Sequence, residues 1–239
     1  MKKLFLILLV IPFFGMSQTK NVVNSNRYFP KADKVLEFEK ALAAHAQKYH
    51  TGDWKWRVYE IQSGPDAGGY HVAEGPTSWD ASDTRGNLGT VHNNDWNKTV
   101  AIYLTDRGSS TYSVFVDSLS NVQLTDYSDK IIINHMYPKP GMINGAIDLV
   151  KKLKNVWKAS NESVAVYQNI SSGEPQIVAV TRLKGGLKEL SDSYRKPLPE
   201  RFNMANGPGS WDAYLADYAK YVENRWSEIL FYRADLSSK

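Results

Sequence analysis

The chain repeats itself, and this limits what it can fold into more than any single motif does. The segment Trp56-Arg57-Val58-Tyr59-Glu60-Ile61-Gln62-Ser63-Gly64-Pro65 resembles the segment from Val164 to Pro175, with Val58 and Val166 standing 108 residues apart. Upstream, Tyr28-Phe29-Pro30-Lys31 resembles Tyr137-Pro138-Lys139, and Lys31 and Lys139 are again 108 apart. Downstream, Asp95-Trp96 resembles Ser210-Trp211, with the tryptophans 115 apart. Each Trp precedes a helical pattern, an aromatic-rich run and an Asp-Leu-Ser-like ending, at Asp117 to Ser120 and Asp235 to Ser237. Matches in one order at nearly constant spacing point to one supersecondary unit used twice.

The second copy reads more cleanly. Lys130 to Tyr137 is an apolar, β-branched run, which predicts a strand. Pro138-Lys139-Pro140-Gly141 breaks it. Ile143, Ile147, Val150, Leu153 and Trp157 then recur at helical spacing, with Lys151, Lys152 and Lys154 outside. Ser163 to Asn169 and Gln176 to Leu183 predict a hairpin about a turn at Ser171 to Pro175. A loop follows to about Pro208. A stripe of Trp211, Tyr214, Leu215, Tyr218 and Val222 predicts a second helix, and Ile229 to Ala234 a fourth strand. The order is βαββαβ.

In the first copy, Val22 to Tyr28 is a poor strand and Val35, Phe38, Leu42, Ala46 and Tyr49 a good helix face. Lys55 to Gln62 and Tyr70 to Glu74 flank the turn Gly64 to Gly69. Trp96 to Leu104 reads as helix only because the repeat demands it, and Tyr112 to Asp117 is the last strand. The fold class expected is α+β: two tandem ferredoxin-like βαββαβ units, residues 19–124 and 125–239, each with its helices on one face of one sheet. Packing the two open faces together buries both.

That arrangement resembles the dimeric α/β-barrel superfamily in a fused form. The passage of strand, Lys139-Pro140-Gly141 and amphipathic helix looks like the opening of NIPSNAP-like and antibiotic-biosynthesis-monooxygenase-like domains. The first copy departs from it, with Pro30-Lys31-Ala32 and no glycine. The resemblance implies a monomer with pseudo-dimeric repeats or a homodimer. It carries over no catalytic residue, because the superfamily shares no catalytic motif.

The N-terminus predicts export. Met1-Lys2-Lys3 is basic, Leu4 to Phe14 is apolar, and Gly15 to Gln18 is small and polar. This is the pattern of a signal peptide, over residues 1–18. The apolar stretch is short of the roughly 20 residues a membrane span needs, so no membrane attachment is expected after cleavage, and the mature chain is expected in the periplasm or outside the cell. With 42% hydrophobic and 23% charged residues the rest is ordinary globular sequence. The net charge of +4 includes Lys2 and Lys3, and no polybasic run points to nucleic acid. The absence of cysteine removes disulfides, thiolate metal sites and Cys nucleophiles.

Candidate chemistry is sparse. His135 lies in phase with Ile131, Ile133 and Tyr137 on a predicted strand, and His71 lies on another. Such a histidine either serves a ligand, haem or acid–base chemistry, or is a core histidine with its ring satisfied. Arg57, Arg182 and Arg233 fall in predicted strands, where an arginine grips a carboxylate or forms an ion pair. Trp54, Trp56, Tyr59, Tyr137, Tyr167 and Tyr232 either line a pocket for a flat ligand or simply pack. His45 and His50 are five residues apart, off the helical three or four, and no ligand-spaced cluster appears, so no metal site is named. Trp79, in the loop Glu74 to Asp83, makes a contact or folds back on the barrel. Phosphate-loop and nucleophile-elbow patterns are absent.

The leading expectation is a protein that binds a small apolar or aromatic ligand in a barrel cavity, with no cofactor. The alternatives are a cofactor-independent monooxygenase or haem-handling enzyme, and a structural protein of the cell envelope, which predicts a filled barrel.

Overall fold

Strands with one greasy and one mixed face need cover on the greasy side, and here helices supply it. In the computed structural model, which describes residues 19–239, β1 (Val22–Pro30), α1 (Val35–Tyr49), β2 (Trp56–Ile61), β3 (Tyr70–Thr77), α2 (Trp79–Arg85), α3 (Gly89–Asp95) and β4 (Leu104–Phe115) come first. Then follow β5 (Lys130–Pro138), α4 (Ile143–Ala159), β6 (Val164–Asn169), β7 (Ile177–Arg182), α5 (Leu198–Asn206), α6 (Ser210–Tyr221) and β8 (Val222–Tyr232). The signal-peptide reading lies outside the described residues. Among them, no helix is long and apolar enough to cross a membrane.

The eight strands close into one antiparallel barrel in the order β1-β3-β2-β8-β5-β7-β6-β4. Closure leaves no free edge to pair with another chain. It rests on two short ladders, Tyr59 to Ile61 against Leu230 to Tyr232 and Ser113 to Phe115 against Tyr167 to Asn169.

Outside the barrel, Phe38, Leu42 and Ala46 of α1 pack on Trp56, Val58, Tyr70 and Val72. On the other side, Leu149, Val150 and Val156 of α4, Phe202 of α5 and Tyr214 of α6 cover Val164, Val166 and Ile177. A smaller cluster, Tyr59, Ile61, Ile131, Ile133 and Leu230, lies inside the barrel.

The structure corrects several sequence boundaries. β4 starts at Leu104 and β8 at Val222, each well before the expected strand, because their first halves are polar and exposed. Helical turns end at Tyr103, so Leu104 belongs to β4. Glu74 to Thr77 extend β3 in place of the expected loop, and α5 lies inside another. Arg233 falls just past β8 and pairs with Glu39, Glu60 and Asp235.

Gly75 shows how tightly β1 and β3 meet. The register shifts here, between Val22 and Asn24 of β1. Gly75 has φ +116°, and a Cβ would meet the Val22 carbonyl oxygen at 2.9 Å. Gly75→Ala is expected to cost about 1–3 kcal/mol by urea unfolding, from the strained backbone and the clash. A change below 0.5 kcal/mol would show that the strand relaxes there (roughly the level of a neutral surface change).

Candidate functional site

Alternation sends every second strand residue into the barrel, and several of those residues leave space. The interior holds a cavity of about 340 Å³. One side of its wall is a connected polar chain. Ser113 Oγ donates to Asn169 Oδ1 (2.8 Å), and Asn169 Nδ2 to Gln176 Oε1 (2.6 Å). Gln176 Nε2 donates to His135 Nδ1 (2.8 Å), and His135 Nε2 donates to Glu228 Oε1 (2.9 Å). Because the amide of Gln176 can only donate through nitrogen, the tautomer of His135 is set, with the proton on Nε2. Its ring stacks on Trp226 at 3.8 Å.

Glu228 is 1% exposed and meets the guanidinium of Arg27 with both oxygens, Nη1 to Oε2 at 2.9 Å and Nη2 to Oε1. Arg27 also pairs with Asp66. Burial opposes ionisation of Glu228, but the hydrogen bonds from His135 and Arg27 outweigh it and hold the carboxyl below its usual range. Burial pushes His135 down against the pull of Glu228. His71 stands across from Arg27 in the β1–β3 ladder. Burial, with the charge of Arg27 beside it, pushes His71 down to about 3, and its Nδ1 has no hydrogen-bond partner.

A second group of wall residues is cationic. Arg57 of β2 stacks over the Tyr127 ring at 3.8 Å and donates to the Gly75 carbonyl (2.7 Å). Arg182 of β7 lies over the same ring at 5.5 Å and donates to the carbonyls of Gln123 (2.7 Å) and Leu124 (3.1 Å). Neither forms an ion pair with a carboxylate among the described residues. Between the two groups the wall is apolar, with Ile131, Ile133, Val178 and Val180.

His71, His135, Arg57, Tyr59, Tyr137, Tyr167 and Arg182 all face this one cavity. Burial raises the hydroxyl pKa of Tyr59 and of Tyr167, so both stay neutral donors. Trp56 instead faces α1, and Trp54 sits under Arg85. Trp79 is 40% exposed and leans on Tyr112. Sequence reasoning missed Arg27, Tyr127, Gln176, Trp226 and Glu228.

No protein-family model matches the chain, and no curated protein matches it. Solved structures match in fold. An anthrone oxidase-like protein superposes with a TM-score of 0.62 at 11% identity, covering 90% of this chain and 92% of that one. A proposed monooxygenase from Lactobacillus acidophilus gives 0.51 at 10%, covering 92% and 96%. A haem-binding protein from Thermus thermophilus gives 0.50 at 12%, covering 90% and 92%. The likeness is one of fold: here a mixed α/β fold with a closed eight-stranded antiparallel barrel, consistent with a fused ferredoxin-like fold.

Proposed function

We propose that this chain is an exported binding protein whose barrel holds a small, flat or apolar molecule bearing an acid group. The observation that carries the reading is the pair Arg57 and Arg182, two guanidiniums turned to one cavity with no carboxylate partner. Arg182 is buried and Arg57 half-buried; a buried charge without a counter-charge is costly, and an anionic ligand head would supply it through a planar, forked contact. The apolar residues between the polar groups suit the ligand's body. A hollow interior departs from the filled barrel of a purely structural protein. Export rests on the pattern of residues 1–18. The orders β4-β1-β3-β2 and β8-β5-β7-β6 around the barrel support two ferredoxin-like units in one pseudo-dimeric monomer.

The names of the neighbours raise oxygenation and haem. Haem iron needs an imidazole nitrogen with a free lone pair, and both nitrogens of His135 are engaged. The cavity lies at the small end of ligand pockets, about 300–1,000 Å³, a size for one to three rings and below that of a porphyrin. His71 is the wall imidazole whose Nδ1 is unpartnered, so the lining offers one candidate ligand, and it is the size of the cavity that stands against haem. General-base chemistry works best with a pKa near the working pH, and both wall histidines are pushed the wrong way. Binding is the better use of this wall.

The test is a fluorescence titration with 1-naphthoic acid against the uncharged 1-naphthalenemethanol. The acid is expected to bind at least ten times more tightly. Arg57→Gln with Arg182→Gln should weaken the acid by about 10–100-fold, since hydrogen bonds to a charged group contribute about 1.5–3 kcal/mol, and leave the alcohol unchanged. Equal binding of acid and alcohol would overturn the anionic-head reading.

A further inference from the structure

Outside the barrel wall, three histidines meet that the sequence holds apart. His45 lies on α1, His50 is the residue directly after it, and His92 lies on α3. Five residues is the wrong spacing for one helix face. The helix ends first, however, and His50, at φ −112° and ψ 83°, turns off its axis. The ring centroids are then 5.3 Å apart for His45 and His50, 4.8 Å for His45 and His92, and 5.6 Å for His50 and His92. One ring nitrogen from each lies within 4.8 Å of the other two.

The other nitrogen of each ring is already used. His45 Nδ1 donates to Asp95 Oδ2 (2.8 Å), His50 Nδ1 to Glu74 Oε2 (2.9 Å), and His92 Nδ1 to Asn93 Oδ1 (3.1 Å). A proton on Nδ1 leaves the lone pair on Nε2. All three Nε2 atoms are buried and without a hydrogen-bond partner. His45 and His50 are 1% and 3% exposed. Buried polar atoms in proteins are nearly always satisfied, and three acceptors converging without a donor are not satisfied by one another.

The supports are themselves anchored. Glu74 also accepts from Trp56 Nε1 (2.8 Å) and pairs with Arg85, whose Nη2 comes to 3.3 Å from His50 Nδ1. Asp95 also meets Lys48 Nζ (3.4 Å). Trp56 stacks on His50 at 3.6 Å, which fixes the plane of that ring. Histidine ligands oriented by carboxylates through the far nitrogen are the usual support of a metal centre.

We propose that His45, His50 and His92 bind one divalent transition-metal ion, Zn²⁺ foremost, through their Nε2 atoms. Imidazole suits zinc, copper, iron and nickel, and rules out a site built for calcium or magnesium. At zinc–nitrogen distances of about 2.0–2.1 Å, a tetrahedral ion sets the nitrogens roughly 3.3 Å apart, so binding draws the three rings inward. Three protein ligands leave a fourth position for water or another small ligand. The site lies on the helix side of β2 and β3, away from the barrel cavity, and it does not depend on the ligand proposed there.

The test titrates the full-length mature chain, freed of metal by a chelator, with Co²⁺ and Zn²⁺ alone. One equivalent of Co²⁺ is expected, with the visible bands of a four-coordinate nitrogen–oxygen site, displaced by Zn²⁺. His92→Ala removes the least buried ligand, so it is expected to keep the metal-free melting temperature of the wild type while weakening Zn²⁺ by at least 100-fold. Asp95→Asn, which leaves all three ligands in place, should weaken it about 10–100-fold. His50→Ala is expected to weaken Zn²⁺ as much as His92→Ala, with a lower metal-free melting temperature because His50 is buried against Trp56 and bonded to Glu74. No stoichiometric uptake at micromolar metal, or uptake that both His92→Ala and His50→Ala leave unchanged, would overturn the proposal.

Discussion

Arg27→Met is expected to destabilise the protein by about 3–5 kcal/mol, the cost of leaving a buried charge without its partner. The stranded group is Glu228, which keeps only His135 as a hydrogen-bond partner once the guanidinium is gone. Methionine fills much of the arginine's volume, so the loss measures charge more than packing. The double variant Arg27→Met, Glu228→Leu removes both charges together. It is expected to recover at least half of the loss, because a buried pair replaced whole is often neutral. Urea unfolding of the two variants reads this directly. A double variant no better than Arg27→Met alone would mean that the pair is held by shape and that its charge balance counts for little.

The second large effect is a dependence on pH. The wall holds His71 neutral, with a folded pKa of about 3, while in the unfolded chain it takes a proton near pH 6.5. Between these values the unfolded chain binds more protons, so stability falls as pH falls. The groups facing His71 are Arg27 from β1, Glu228 from β8 and His135 from β5. Glu228 does not confuse the window, since its lowered pKa matters only below the ordinary carboxylate range. From pH 7 to 4.5 the histidine contributes a loss of up to about 3 kcal/mol. His71→Asn is expected to flatten the stability profile over that range by this amount. A profile that keeps its full slope would place the responsible protons elsewhere, with His135 the next to replace.

The helices and the central strands were legible in the sequence. Apolar periodicity marked them, and β5 with its KIII run could be little else. The inward phase of β5 followed from simple alternation, which is why His135 was found with Ile131 and Ile133. Three of the missed residues share one physical cause. Arg27, Gln176 and Glu228 stand in a polar interior, and from sequence a polar interior looks like a solvent face. Glu228 sits in Val222-Glu223-Asn224-Arg225-Trp226-Ser227-Glu228, which reads as the tail of a helix. Tyr127 comes from a loop, where no periodicity gives direction. The three histidines outside the barrel were separated by spacing, and only the end of α1 brings two of them together.

The chain of hydrogen bonds from Ser113 to Glu228 runs in a single sense. Each donor points toward the carboxylate, so the bond dipoles add along the wall. Their positive ends and Arg27 together quench the charge of Glu228, and that flank presents little net potential to anything inside. The cation pair Arg57 and Arg182 has no such counterweight. The two flanks of the cavity are therefore electrically unlike: on one the cation meets carboxylates, on the other the cations meet only carbonyl oxygens and the Tyr127 ring. On the proposed reading, a guest with a single acid group would have one preferred heading in the cavity, and be sorted by which end goes in first before it is sorted by outline.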